Sequence, residues 1–299
     1  MSGKFSDIGS YVAGGVFSRS RGALALSIDE MNARNVANSI FISWDGSAIK
    51  PLGRKLIYTK FLGIDQEQGD IVAVGEYGEC VAISPSGTLT EESVSSSGSD
   101  PANRGPLRGG VCVASSIVVV GMDRQVYLRR PGGAWSTLEA GLPPAETAGL
   151  GYEAVTAFSF QEMYAAGWDG ELVMFDGNKW HGIVSPTNQI LVSLTTGTDG
   201  FVYGCGRNGL VIRGRKDQWE VVDNDIVDDF WSITWFQEAL YLSSMRGIYK
   251  LQGNSLSPID VSVTAAETFY ALSATADVLW SIGPKDVIAF DGNTWARID

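Results

Sequence analysis

Histidine is almost missing from this chain of 299 residues: His181 is the only one. That nearly excludes His-based catalytic triads, multi-histidine metal centres and the usual general-base chemistry, and it leaves His181 as a surface residue of an outer strand. Long apolar runs are missing too. Stretches such as 117–120 and 23–28 fall far short of the roughly 20 residues that a membrane helix needs, so no membrane span is expected. Residues 1–10 are polar, carry one Lys and lead into no apolar segment of the secretory type, which makes the cytoplasm the default location.

Basic charge is also scarce. Thirty-four acids stand against 22 bases, for a formal charge of -12. Nucleic-acid binding, which needs clustered Lys and Arg to neutralise phosphates, is therefore disfavoured, and an acidic surface suits a basic partner or simply keeps the chain in solution. The three cysteines, Cys80, Cys112 and Cys205, are an odd number, far apart and each inside an apolar, strand-like run. They read as free, buried thiols rather than as a disulfide framework or a metal site.

What the chain does have is a repeat. Phe175-Asp176-Gly177-Asn178-Lys179-Trp180 returns as Phe290-Asp291-Gly292-Asn293-Thr294-Trp295 after 115 residues, three periods of about 38. Between them Trp219 follows Trp180 by 39 residues, Leu256 follows Trp219 by 37, and Trp295 follows Leu256 by 39; Trp135 precedes Trp180 by 45. A second marker runs in parallel, a Gly- or Ser-bounded turn after an apolar strand: 75–78, 121–124, 167–170, 206–209, 244–247 and 283–286.

Residues 155–160, 163–167, 171–175 and 179–184 show the unit as four short strands, the last two joined by the Asp-Gly-Asn turn. Such hairpins have an apolar face that only a neighbouring unit can cover. The expected fold is all-β, a single β-propeller domain over 1–299 with seven four-stranded blades, six being the fallback. Blades are expected to start near residues 10, 56, 107, 154, 191, 230 and 269. The first needs an insertion at 29–36 before the pattern resumes at 40–44 with Asp45-Gly46 as its turn. Both ends appear as complete units, so the ring should close by packing rather than by a shared blade. The stretches 92–106 and 141–152 are expected to be long loops between blades.

A strand ending Phe-Asp-Gly that leads to a Trp resembles the broad group of bacterial propellers with kelch-like, Asp-box-like or photosystem-assembly-factor-like repeats. The chain departs from a true Asp box because Asp176-Gly177 and Asp291-Gly292 are adjacent, and it lacks regularly placed Gly-Gly pairs of the kelch kind, although Gly14-Gly15 and Gly109-Gly110 occur. The resemblance implies a fold and not an activity.

Chemistry is hard to find in it. A sialidase-like enzyme would need arginines converging on the axis, but Arg19, Arg108, Arg124, Arg207 and Arg246 do not recur at the axial strand position. Calcium loops are absent, Asp223-Asn224-Asp225 being only a fragment of one, and no cofactor or metal is expected. The most unusual segment is 217–235, where acids interleave with Trp219, Phe230, Trp231 and Trp235. In a propeller the connection between blades shares a face with the turns between second and third strands. Tyr77, Trp168, Asp169, Asp223, Asp225, Asp228, Asp229 and Trp231 are thereby candidates for one partner-binding surface, aromatics as anchors and acids for steering. The alternative is a solvated loop with Trp231 packed inside.

Three readings follow. The first is a non-catalytic protein-binding propeller, in its sharpest form an immunity protein that masks the active site of a basic toxin such as a nuclease; small bacterial propellers with degenerate repeats resemble that class. The second is an assembly or scaffold factor, and the third a sugar-acting enzyme or lectin.

Overall fold

The computed structural model describes residues 4–97, 100–143, 149–253 and 255–299. Seven four-stranded antiparallel sheets, each built from strands consecutive in sequence, span residues 9–55, 59–93, 107–137, 152–183, 191–221, 232–259 and 271–297, and are called blades I to VII. The first strand of every blade touches the first strands of the blades before and after it, and that of blade I touches that of blade VII. The ring is closed, and the chain is a seven-bladed β-propeller.

Second strands such as Ile71–Gly75, Val202–Gly206 and Ala239–Ser244 are buried at every position. Sheets cover them on both faces, so these strands read as unbroken apolar runs with small residues where blades come closest. Fourth strands such as Leu89–Ser93 lie at the rim and are mostly exposed.

The repeat markers have a common geometry. Trp135, Trp180 and Trp295 each open a fourth strand, and Trp219 is the second residue of one. In the turns that precede them Asp176 accepts hydrogen bonds from the Asn178 and Lys179 amides, and Asp291 does the same for Asn293 and Thr294. Asp45 repeats the pattern in blade I with Ser47 and Ala48. A carboxylate that caps its own turn explains the Asp, and positive φ at Gly46, Gly177 and Gly292 explains the Gly. His181 is half-buried on its outer strand rather than fully exposed, and its Nε2 lies 2.6 Å from Asp176 Oδ2. The Lys179 amide and then the His181 ring hold that carboxyl below its usual range.

Neighbouring first strands are stapled through side chains. Ser193, Ser232 and Ser273 accept from the amides of Ile233, Leu272 and Val16, so junctions V–VI, VI–VII and VII–I use the same device. At the closing junction Lys285 Nζ also donates to Gly9 O at 2.7 Å and to Asp29 at 2.6 Å. Closure therefore needs no shared blade.

Two expectations are corrected. The stretch 92–106 is not all loop: the fourth strand of blade II runs on to Ser93, and a short helix, Pro101–Arg104, follows, capped by Asp100, which accepts from the Ala102 amide. Its last residue, Arg104, reaches Asp123 and Glu139 on blade III and beyond, which ties the helix to that blade; residues 98 and 99 of the stretch lie outside the described ones. The stretch 141–152 contains residues 144–148, which lie outside the described ones. Cys80 and Cys205 are buried as expected, but Cys112 is only half-buried, because it sits on a first strand beside the axial channel, where its Sγ accepts from the Ile64 amide at 3.3 Å.

All three cysteines are free, and burial pushes each thiol up. Titration with an aromatic disulfide at pH 8 is expected to find almost no fast-reacting thiol in the native protein, Cys112 reacting first, and three after unfolding. Fewer than three without reductant would contradict this.

Candidate partner-binding face

Each blade connection returns the chain to the face on which the turns between second and third strands lie. Those turns are shaped by their sequence. Asp123-Arg124, Asp169-Gly170 and Asn208-Gly209 put two consecutive residues at positive φ, which Asp, Asn and Gly tolerate best. The blade connections then lie down on the turns. A Cβ on Gly170 would come within 2.1 Å of Thr187 O, and one on Gly209 within 1.8 Å of Ile226 O, so only glycine lets the chain pass there.

The acidic connection between blades V and VI is built on this contact. Gly209 N–H donates to Asp228 O, Asn208 N–H to Asp229 Oδ1, and Asn224 Nδ2 to Gly209 O. Asp228 is not a free surface acid: it accepts from Tyr249 Oη at 2.5 Å, Ser244 Oγ and Arg246, and its side chain is largely covered. Trp231 is half-buried with its ring 5.7 Å from that of Tyr270. Asp169, Asp223 and Asp225 are exposed, and their side chains have no partner among the described residues. The loop thus divides into acids that build it, Asp228 and Asp229, and acids that face outward.

Trp168 is 38% exposed, and its indole N–H donates to Glu153 at 2.7 Å. Glu153 in turn lies 3.5 Å from Arg108 Nε. These two are the charged residues on the wall of the axial channel, a space of about 510 Å³ lined, apart from them and Gln66, by small and apolar side chains of all seven first strands. Tyr270 stands near this pair: burial, then the negative charge of Glu153, raises its phenol above the ordinary range. Tyr77 is exposed on the equivalent turn of blade II, two blades from Trp168. The structure therefore gathers Asp228, Asp229 and Trp231 around one hollow, puts Trp168 at the channel mouth and leaves Tyr77 apart.

Sequence reasoning missed the exposed aliphatics. Of thirteen large exposed apolar side chains among the described residues, eleven lie on this face: Ile8, Val12, Val36, Leu56, Tyr77, Trp168, Val184, Val227, Met245, Val263 and Tyr270. Phe201 lies in a turn of the opposite face and Val221 at the end of an outer strand. A signal was available, since Met245 inside a hairpin turn and Val227 inside an acidic connection are apolar residues where polar ones suffice. The large exposed apolar side chains of the described residues are thus concentrated on one face of the ring.

Comparison with known proteins adds a relative. Over 99% of both chains the sequence is 37% identical to the immune protein Tsi7 of Pseudomonas aeruginosa. The chain belongs to the Tsi7 immune-protein family. No family model matches it. Among solved structures, YCF48 bound to a D1 peptide superposes with a TM-score of 0.68 at 16% identity, covering 94% of this chain and 91% of that one. The WD40 propeller domain of Doa1 gives 0.67 at 12% identity over 97% and 92%. These likenesses show the shared fold alone, whereas the similarity to Tsi7 extends along the whole sequence. Among the described residues no group of three or more His, Cys, Asp or Glu is placed to hold a metal, and no helix is long and apolar enough to cross a membrane.

Proposed function

We propose that the chain is an immunity protein that binds a toxin domain and masks its active site, without catalysis of its own. The observation that carries this reading is the end-to-end similarity to the immune protein Tsi7. The one-sided distribution of exposed apolar side chains supports a protein ligand, because a small molecule would not need a whole face. The formal charge of -12 and the outward-facing Asp169, Asp223 and Asp225 support a basic partner, drawn in by long-range attraction. A cytoplasmic site of action fits a protein that protects the cell producing the toxin.

The test takes as its probe a candidate toxin domain sought among the genes beside this one. Cells expressing it should survive only when this chain is co-expressed, and the purified pair should bind. Replacing Asp169, Asp223 and Asp225 with Asn should slow association by roughly threefold to tenfold at low salt, flatten its salt dependence and leave the melting temperature unchanged. Unaltered association at 20 mM salt would remove the steering role from these acids. Asp228→Asn should behave differently and lower stability by about 1 to 3 kcal/mol, since Tyr249 and Arg246 lose a charged acceptor.

A further inference from the structure

Two hollows on the connection face meet at one side chain. The first, about 500 Å³, is shared by blades I, II, VI and VII, and its wall includes Tyr11, Val12, Tyr58, Met245, Tyr270 and Pro284. Blades II and VI are not neighbours in the ring, so a space that both line lies over the axis. The second, about 380 Å³, lies where blade V passes to blade VI, walled by Val227, Asp228, Asp229, Trp231, Arg246 and again Met245. Besides sharing Met245, the two are joined by Tyr270, whose ring packs on Trp231.

The ends of this path differ in chemistry. Over the axis the exposed surface of the wall is mainly apolar, with Met245 54% and Tyr270 45% exposed, and its charged residues, Lys60 and Glu76 on blade II, face each other at 3.8 Å. Toward blade V it becomes acidic, with Asp228 and Asp229 in the wall and the unpartnered Asp223 and Asp225 on the same connection, against two exposed cations, Arg246, which pairs with Asp228, and Arg207 on the adjoining turn.

We infer that the two hollows form one groove that receives an extended segment of the toxin domain, a large apolar side chain over the axis followed by a Lys or Arg toward the outward-facing Asp225. The inference rests on the immunity reading above and adds to it where the partner docks and what its docking segment is made of. An extended chain advances about 3.3 Å per residue with alternate side chains on one side, so residues two apart reach into adjacent hollows. The apolar residue loses water on entry, and the cation fixes its direction. Met245, between the two, is the ridge that every such segment crosses.

The experiment titrates a catalytically inactive form of the candidate toxin domain of the preceding test into the wild-type protein and into Met245→Asp, Tyr270→Ala, Asp225→Lys and Phe201→Asp, with melting curves for all. Met245 and Phe201 are exposed turn residues, so those two variants should melt with the wild type. Met245→Asp and Tyr270→Ala are expected to weaken binding by about tenfold or more, the loss typical of truncating or blocking an anchor, and Asp225→Lys by roughly tenfold. Phe201→Asp should stay within about twofold of the wild type. If Tyr270→Ala also lowers the melting temperature, Met245→Asp decides. Undiminished binding by Met245→Asp, or a tenfold loss in Phe201→Asp, overturns the groove while leaving the immunity reading in place. A wild-type protein that does not bind the toxin at all overturns the immunity reading, and the groove falls with it.

Discussion

Replacing Arg129 with Leu is expected to destabilise the protein by about 3 to 5 kcal/mol, the range for stranding a buried charge. Arg129 is 2% exposed and joins two blades. Its Nη1 donates to Asp65, which is fully buried, at 2.9 Å, and its Nε and Nη2 form a two-point contact with Glu92 at 2.8 Å each. Burial alone would raise the Asp65 carboxyl. The Arg129 guanidinium, together with the amides of Gln68, Gly132 and Glu67, outweighs burial and holds it below the usual range. The Leu variant would leave two carboxylates facing each other without a cation. Changing Asp65 to Asn and Glu92 to Gln in the same chain should recover much of the loss, because no charge is then left unpaired. Urea titration of the three proteins at pH 7 checks the order.

The pH dependence follows from the same group. A carboxyl whose folded pKa is depressed contributes stability that is fully present above its unfolded value, near 3.9, and is lost as pH falls through the folded value. Wild-type stability should therefore fall as the solution is acidified below about pH 4. The gap between wild type and Arg129→Leu should narrow over the same interval, since protonated carboxyls do not need the guanidinium. A gap that stays constant from pH 7 to pH 3 would mean that the loss comes from packing and not from charge.

Trp180→Ala is the second large effect, expected at about 3 to 5 kcal/mol from the cavity and the lost transfer energy of the ring. Trp180 is almost wholly buried and lies 5.2 Å from the ring of Phe175. Its indole N–H donates to Leu138 O at 2.7 Å and its amide to Ala140 O, so it fastens blade IV to the chain arriving from blade III. Trp295 holds the equivalent place in blade VII, stacked at 4.7 Å on Phe290, but remains partly exposed. Trp295→Ala should cost clearly less, and Trp180→Phe, which keeps most of the apolar area, about 1 to 2 kcal/mol. Equal losses at Trp180 and Trp295 in thermal unfolding would show that the repeat position, and not its burial, sets the energy.

The seven blades were legible because a propeller writes its architecture locally. The Asp-Gly turn is capped by its own carboxylate, the turns between second and third strands need Asn, Asp or Gly at positive φ, and the buried second strands are unbroken apolar runs. Each signal spans fewer than a dozen residues, so spacing alone revealed the blades, even with an insertion in blade I. The candidate face was legible in part. The rule that connections share a face with one set of turns placed Tyr77, Trp168 and the 223–231 segment together on it. Residue type could not tell Asp225 from Asp228, because what separates them is the Tyr249 hydroxyl and the Arg246 guanidinium, supplied by a neighbouring hairpin. Nor could it reveal that Tyr270 lies against Trp231, 39 residues away, or that Met245 joins two hollows. Such facts depend on which side chains the closed ring brings together from distant blades, and the long-range packing of the ring decides them.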